Sequence, residues 1–281
     1  MGTCRLCGQP AGFLRFKHPA CTAKHARGLS TLLQLSEEAA KGGTSVDTLS
    51  SRVDALAKES FISRAEVTSS YVRAWEGAAE HFLDDGNLDE DEERHLVEFQ
   101  QHLGLSQSDL DSRGVFSRVL KGGILRDVMH GKVPSRLRIE GPTPFNFQRN
   151  EQLVWVFNGV EYLEDKTRRE YVGRSSGFSF RVARGIYYRV GAFRGHPIEK
   201  SERVHVDSGS LGITTKHLYF AGPKKSFRIR HDKIVSFIPF SDGVGVVRDA
   251  ATAKPQIFVT GDGWFTYNLL SNISQVDGGA N

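Results

Sequence analysis

Apolar residues recur every three or four positions through residues 22–133, and this spacing predicts amphipathic α-helices. One helix is predicted to begin at Asp89, because Glu92 three residues later completes a capping-box pattern. A later helical segment contains Gly122 and Gly123, and we expect this glycine pair to bend or interrupt it. The first half of the chain therefore predicts a helical bundle.

The pattern changes to short strands after the proline-rich segment 141–144, which blocks both helix and ladder pairing. The following segments are rich in β-branched and aromatic residues, and glycine turns separate them. The predicted strands cover residues 153–157, 178–182, 186–190, 211–214, 217–220, 226–230 and 244–247. A final apolar run after Gly263 predicts one closing helix, so the fold class expected is α+β with several domains.

All three cysteines of the chain lie within its first 21 residues. They are spaced as Cys4-x2-Cys7 and His18-x2-Cys21, which makes a four-ligand set for one tetrahedral zinc ion. A closed tetrahedron leaves no position for a substrate, so the predicted site is structural. Metal binding would then supply folding free energy on the order of 10 kcal/mol.

Two histidines have workable spacing for the fourth ligand position. His18 is favoured because Pro19 keeps the preceding residue extended, which allows its ring to turn inward. The alternative is His25, which follows Cys21 with the spacing Cys21-x3-His25 and is expected to lie in the first helix. The competing interpretation, that the cysteines are small buried apolar residues, fits poorly with the glycines and proline around them.

Charge is segregated along the chain, although the net charge of the whole is only +4. Residues 1–25 carry four basic residues and no acid, whereas residues 26–112 hold 18 acidic and 7 basic residues. Residues 113–139 and 140–281 are again basic. This asymmetry predicts an acidic helical module beside basic surfaces that could meet phosphate, anionic lipid or an acidic protein.

Two basic clusters in the β-rich half are candidate anion-binding or partner-binding surfaces. The first contains Arg181, Arg189 and Arg194 among aromatic residues, and the second contains Lys224, Lys225, Arg228 and Arg230. The competing interpretation of the first cluster is the solvated face of a sheet, because arginine and aromatic positions alternate as they do in a strand.

The motifs of common enzymes are missing from the sequence. It contains no HExxH-like pair and no glycine-rich phosphate loop that ends in Gly-Lys-Ser or Gly-Lys-Thr. The serines of "GRSSGFSF" have no identifiable base and are better explained as turn hydroxyls. We therefore expect a protein without catalytic activity.

The segment "FLDDGNLDEDEERHLVEFQQHLGLS" resembles the helical TerB-like family over residues 64–130. This resemblance implies roles in bacterial stress response, phage defence or membrane-proximal complexes, and metal binding through acidic residues such as Asp84, Asp85 and Glu92. Aligned on an EF-hand loop, the same turn has His81 and Leu83 where the leading calcium ligands belong. A simple turn between helices is therefore favoured over a calcium site.

The segment "GSLGITTKHLYFAGPKKSFRIRHDKIVSFIPFSDGVGVVRD" resembles the bacterial PH-like or GRAM-like group over residues 205–275. The resemblance implies an antiparallel β-barrel closed by one C-terminal helix, which binds peptides or anionic lipid. The predicted domains are a zinc knuckle at 1–25, an acidic TerB-like helical domain at 26–139 and a β-rich domain at 145–276.

Together these patterns predict a non-enzymatic adaptor that binds zinc and recognises a partner protein or an anionic membrane or phosphate surface. The alternative is a nucleic-acid-binding protein that uses the basic knuckle and the arginine-aromatic surface. No apolar stretch is long enough to span a bilayer and the start lacks a signal-peptide pattern, so a cytoplasmic or membrane-peripheral location is expected. A small-molecule substrate is not expected.

Overall fold

The structure is a computed structural model that describes residues 2–13, 15–84, 88–134, 143–183, 186–250 and 254–276. The side chains of residues 166–201 and 275 are outside this description. The chain divides into two compact units, Met1–His130 and Gly131–Asn281, called here the helical unit and the sheet unit. The predicted domain boundaries stay predictions.

The described part of the helical unit begins with a small antiparallel hairpin and continues with six helices. Strands β1 and β2 pair to form the hairpin. The bounds are β1 Gly2–Thr3, β2 Pro10–Gly12, α1 Pro19–Ala40, α2 Val46–Ser60, α3 Arg64–Phe82, α4 Glu90–His102, α5 Gln107–Leu110 and α6 Val115–Met129. No helix among the described residues is both long enough and apolar enough to cross a membrane.

Side-chain caps fix the starts of these helices. The predicted capping box is confirmed at α4, where Asp89 Oδ1 accepts from the Glu92 amide at 2.8 Å and the Glu92 carboxylate accepts from the Asp89 amide at 3.0 Å. Ser63 and Glu66 form the same arrangement at α3. Each cap satisfies backbone donors that would otherwise have no partner in the first turn.

The core of the helical unit surrounds Trp75 of α3, which is almost completely buried. Its indole nitrogen donates to the Leu96 carbonyl at 3.0 Å, so the polar atom of this side chain is satisfied. Phe116 stacks on the same ring, and Tyr71 meets Phe99 edge to face. These contacts join α3 to α4 and α6.

The expected interruption at the glycine pair is wrong, because α6 is continuous through Gly122 and Gly123. A bend at the pair stays a prediction. A Cβ atom at Gly122 would lie 3.3 Å from Leu83 and 3.4 Å from Leu88, so the missing side chain permits close packing. The predicted segment is divided earlier instead, at Gly114, whose φ of +70° separates α5 from α6.

The sheet unit contains a single seven-stranded antiparallel sheet and a C-terminal helix, within the described residues. The strand order is β6-β5-β4-β3-β9-β8-β7. The bounds are β3 Leu153–Ala183, β4 Ile186–Thr214, β5 His217–Ala221, β6 Ser226–Arg230, β7 Ile234–Pro239, β8 Gly243–Arg248, β9 Gln256–Val259 and α7 Gly263–Asn272.

Two details of the predicted β-rich fold are wrong. The sheet is not a closed barrel: β6 and β7 are its two edges, and a short 3-10 turn at His231–Lys233 joins them without a ladder between them. The pairing of β7 with β8 has a register irregularity between Ile234 and Ser236, directly after this turn. Several predicted short strands also merge into β3 and β4, which pair along most of their length.

The predicted closing helix is confirmed as α7, which packs on β7 and β8. Its buried Phe265 meets Trp155 at 5.1 Å and Phe157 at 6.0 Å between ring centroids. Asp262 caps the helix by accepting from the Phe265 amide. The interior of the sheet is aromatic, with Tyr162 stacked on Phe258.

Candidate metal centre

The first two predicted ligands lie on a tight turn that follows β1. The Cys4 amide donates to the Gln9 carbonyl at 2.8 Å, and the Gly8 amide donates to the Cys4 carbonyl at 2.9 Å. Gly8 has a φ of +73°, a conformation that glycine adopts at little cost. The turn thereby directs the sulfur atoms of Cys4 and Cys7 to the same side.

The other two ligands lie at the start of α1. His18 is the N-cap residue in an extended conformation, and Pro19 occupies the first helical position. Cys21 follows in the first turn, where the positive end of the helix dipole favours a thiolate. The helix start therefore orients the second pair of ligands as the turn orients the first.

The four predicted ligands come together: the donor atoms of Cys4, Cys7, His18 and Cys21 all lie within 4.8 Å of one another. His18 Nδ1 is 3.4 Å from the Cys7 sulfur and 3.6 Å from the Cys21 sulfur. Zinc bound tetrahedrally at about 2.3 Å to sulfur and about 2.0 Å to nitrogen would separate such atoms by about 3.5 Å. The donor set and its spacing thus fit a tetrahedral metal ion.

The second ring nitrogen of His18 is held by the backbone, since His18 Nε2 lies 3.1 Å from the Pro10 carbonyl oxygen. A carbonyl only accepts, so Nε2 carries the proton and Nδ1 presents its lone pair to the sulfurs. Metal-binding histidines are commonly oriented by such a contact. The alternative ligand His25 instead pairs with Glu66 of α3 at 3.2 Å, so the structure selects His18.

The thiols of the cluster differ in acidity. Hydrogen bonds from backbone amides, that of Cys7 above all, lower the pKa of Cys4 to about 6. Burial, together with the neighbouring Cys7 and Cys4 sulfurs, raises the pKa of Cys21 to about 11. Three thiolates this close repel one another, and a divalent cation between them removes that repulsion.

The surface beside the cluster is both aromatic and basic. Phe13 is 86% exposed and Phe16 is 55% exposed, and Arg5 lies over the Phe16 ring at 5.4 Å. Arg15 and Lys17 are exposed on the same short segment. The segment between the two ligand pairs therefore displays apolar rings next to cations.

The acidic turn between α3 and α4 shows no comparable convergence in its described part. Asp85 lies outside the described residues. Glu92 is engaged in the α4 capping box. The buried Arg126 of α6 also donates to the Leu88 carbonyl at 3.0 Å and contacts Glu93, which brings a positive charge to this turn. Metal binding by the turn stays untested.

The predicted basic residues of the sheet unit fall into two groups. Arg181, Arg189 and Arg194 lie on β3 and β4, and their side chains are outside the described residues. The remaining four are exposed, with Lys224 and Lys225 in the turn before the edge strand β6 and with Arg228 and Arg230 on β6 itself.

A buried polar network on the sheet was not predicted from the sequence. Glu151, whose side chain is fully buried, accepts from His217 Nδ1 at 2.8 Å, the Tyr219 hydroxyl at 2.5 Å and the Thr214 hydroxyl at 2.9 Å. Burial alone would raise the pKa of Glu151, but these donors and the Gln148 amide hold it below its usual value. The only sequence signal is an acidic residue two positions before the strand predicted at residues 153–157.

Comparison with known proteins does not assign this arrangement to a family: no family model, no curated protein and no solved structure matches the chain. Its function must therefore be inferred from its own residues.

Proposed function

We propose that this protein is a zinc-stabilised recognition protein without catalytic activity. The observation that carries the proposal is the Cys3His cluster, whose sulfur-nitrogen distances of 3.4 and 3.6 Å match a tetrahedral zinc site. Three sulfurs and one nitrogen fill the coordination sphere of zinc, so no position is left for a catalytic water. The metal would therefore stabilise the fold. Cys4 and Cys7 would attach the hairpin to the start of α1 through His18 and Cys21.

The remaining features support recognition as the role of the rest of the chain. The chain presents an acidic helical segment and a sheet edge that carries exposed arginine and lysine, surfaces suited to a charged partner. The seven antiparallel strands followed by α7 are the element order that the PH-like resemblance implies. A TerB-like helical unit joined to a PH-like sheet unit would indicate a role in bacterial stress response or phage defence. In that role the protein would bind a partner protein or an anionic surface.

Metal analysis of the purified full chain tests the zinc centre. We expect one zinc per chain, lost in Cys7→Ser and His18→Ala but retained in His25→Ala, the matched control one turn further along α1. His18→Cys should keep the metal, since four thiolates also bind zinc. Chelation should increase amide hydrogen exchange in residues 2–30 and leave β4 and β5 unchanged. Zinc retained by Cys7→Ser would refute the assignment.

Nucleic-acid binding is the second candidate function, and the exposed rings of Phe13 and Phe16 favour it. Aromatic side chains beside cations can stack on bases while the cations meet phosphates. A gel shift with single-stranded RNA and DNA at low and moderate salt tests it. We expect binding that weakens with salt and is lost in Phe13→Ala with Phe16→Ala. A shift that is unchanged in this double variant would exclude the stacking role.

A further inference from the structure

The sheet unit contains two adjoining cavities, which we call together the basic cleft. Their volumes are about 490 and 450 Å³, within the range of small-molecule sites, and Gln148, His217 and Arg230 line both. Lys216 and His231 line the first cavity. The cleft lies where the end of β6 and the start of β5 come together.

Positive charge dominates this cleft. Lys216 and Arg230 border the first cavity, and Arg228, Lys233 and Arg248 border the second. Among the described lining residues Asp232 is the single carboxylate, and it pairs with Arg230 at 2.6 Å. The other four cations form no ion pair with a described carboxylate. A cleft lined by one sign of charge concentrates ligands of the opposite sign.

The floor of the cleft is held rigid by the buried network. Glu151 fixes the His217 ring through Nδ1, and Tyr219 and Thr214 hold the same carboxylate. Phe147 packs edge to face on Tyr219, which covers the network on one side. His217 is thereby presented at a defined position, as a pre-organised binding site requires.

His231 adds a polar atom without a partner among the described residues. Its Nε2 lies 2.9 Å from the Thr214 carbonyl oxygen and so donates to it, while Nδ1 is buried and unpaired. Burial lowers the pKa of His231, which keeps the ring neutral and Nδ1 an acceptor.

We propose that the basic cleft binds a phosphate group, in its hydrogen phosphate or phosphate-ester form, at Arg230, which borders both cavities, with Lys216 on the side of the first cavity and Lys233 on the side of the second. Phosphate provides the negative charge that would balance these cations. The inference rests on the recognition role proposed above and names its ligand chemistry. It is independent of the zinc centre, whose residues belong to the other unit.

Calorimetric titration of the metal-loaded full chain with inorganic tripolyphosphate tests the proposal. We expect binding that Lys216→Ala with Lys233→Ala weakens about tenfold, since two solvent-exposed charge contacts are lost. Lys41→Ala with Lys58→Ala removes the same charge from exposed positions of the helical unit and is the matched control, expected to change affinity less than threefold. In NMR spectra, the ring signals of His217 and His231 should shift on binding.

A second experiment distinguishes a soluble phosphate ligand from a lipid headgroup. It measures binding to phosphatidylcholine vesicles with and without phosphatidic acid. Binding to tripolyphosphate indicates a soluble phosphate ligand, and binding only to phosphatidic acid vesicles with the same variant pattern indicates a lipid headgroup. Equal weakening by both double variants would overturn the proposal, because affinity would then follow net charge alone. Absence of binding in both experiments would also overturn the proposal. The cations would then be explained by their place on and near an edge strand, where charged side chains prevent pairing with other chains.

Discussion

Glu151→Ala should destabilise the sheet unit strongly, because one carboxylate satisfies several buried donors. The side chains of His217 and Tyr219 are each about 95% buried and would lose their acceptor without access to water. Thr214 has a second acceptor, the His217 carbonyl at 3.0 Å, and the Gln148 amide belongs to an exposed residue. Two buried donors, His217 Nδ1 and the Tyr219 hydroxyl, are therefore left without an acceptor. At about 1–3 kcal/mol for each, the expected loss is about 2–6 kcal/mol.

Urea unfolding followed by hydrogen exchange and mass spectrometry measures this loss for each unit separately, as a chain of two units requires. Peptides from β4 and β5 should exchange at lower urea in Glu151→Ala, whereas peptides from α3 and α4 should be unchanged. Glu151→Gln, which keeps one acceptor oxygen, should lie between the alanine variant and the wild type. A loss below about 1 kcal/mol would show that the network does not hold the sheet.

The same network makes the stability of the sheet unit depend on pH. The pKa of Glu151 is lower in the folded than in the unfolded chain, so its contribution is fully present above the unfolded value and is lost as pH falls through the folded value. We expect the unfolding free energy of the wild-type sheet unit to decline below about pH 4. In Glu151→Gln this part of the decline should disappear. An identical acid profile in both proteins would contradict the assignment.

Two further substitutions test the packing of the helical unit. Gly28→Ala should lower the free energy of unfolding of the helical unit by about 1–3 kcal/mol in thermal unfolding, because the new Cβ would lie 2.3 Å from Ser60 Cβ. At an exposed helix position the same substitution would raise the free energy of unfolding. Arg113→Ala should lower the free energy of unfolding in chemical unfolding because it leaves the buried Glu76 unpaired, whereas Glu76→Ala should lower it less because Arg113 is exposed to water. Equal costs for the pair, or a stabilised Gly28→Ala, would contradict these contacts.

Local sequence patterns predicted those features whose partners are close in the chain. The Asp89 and Glu92 capping box spans four residues, and the cysteine turn from Cys4 to Gly8 spans five. The position of His18 also follows from its neighbour Pro19. In each case the geometry is set by backbone rules within one turn, so spacing alone carries the information.

Features that depend on long-range register were not predictable in this way. Glu151 and His217 are 66 residues apart, and they meet because β3 and β4 pair with Leu153 opposite Thr214. The closed barrel was expected from the number and order of strands, but closure depends on whether β6 and β7 share a ladder. The close packing of Leu83 and Leu88 beside Gly122 likewise depends on residues that are distant in the sequence.

The N-terminal hairpin has little hydrophobic burial of its own. Among the described residues from 2 to 18, only Cys4 and Ala11 are buried. Ordering each residue costs about 1–2 kcal/mol of conformational entropy, whereas burying one alanine methyl returns less than about 1 kcal/mol. Hydrophobic burial alone therefore holds the hairpin weakly against α1. If the Cys3His cluster binds zinc as proposed, coordination on the order of 10 kcal/mol would stabilise the surface that bears Phe13 and Phe16.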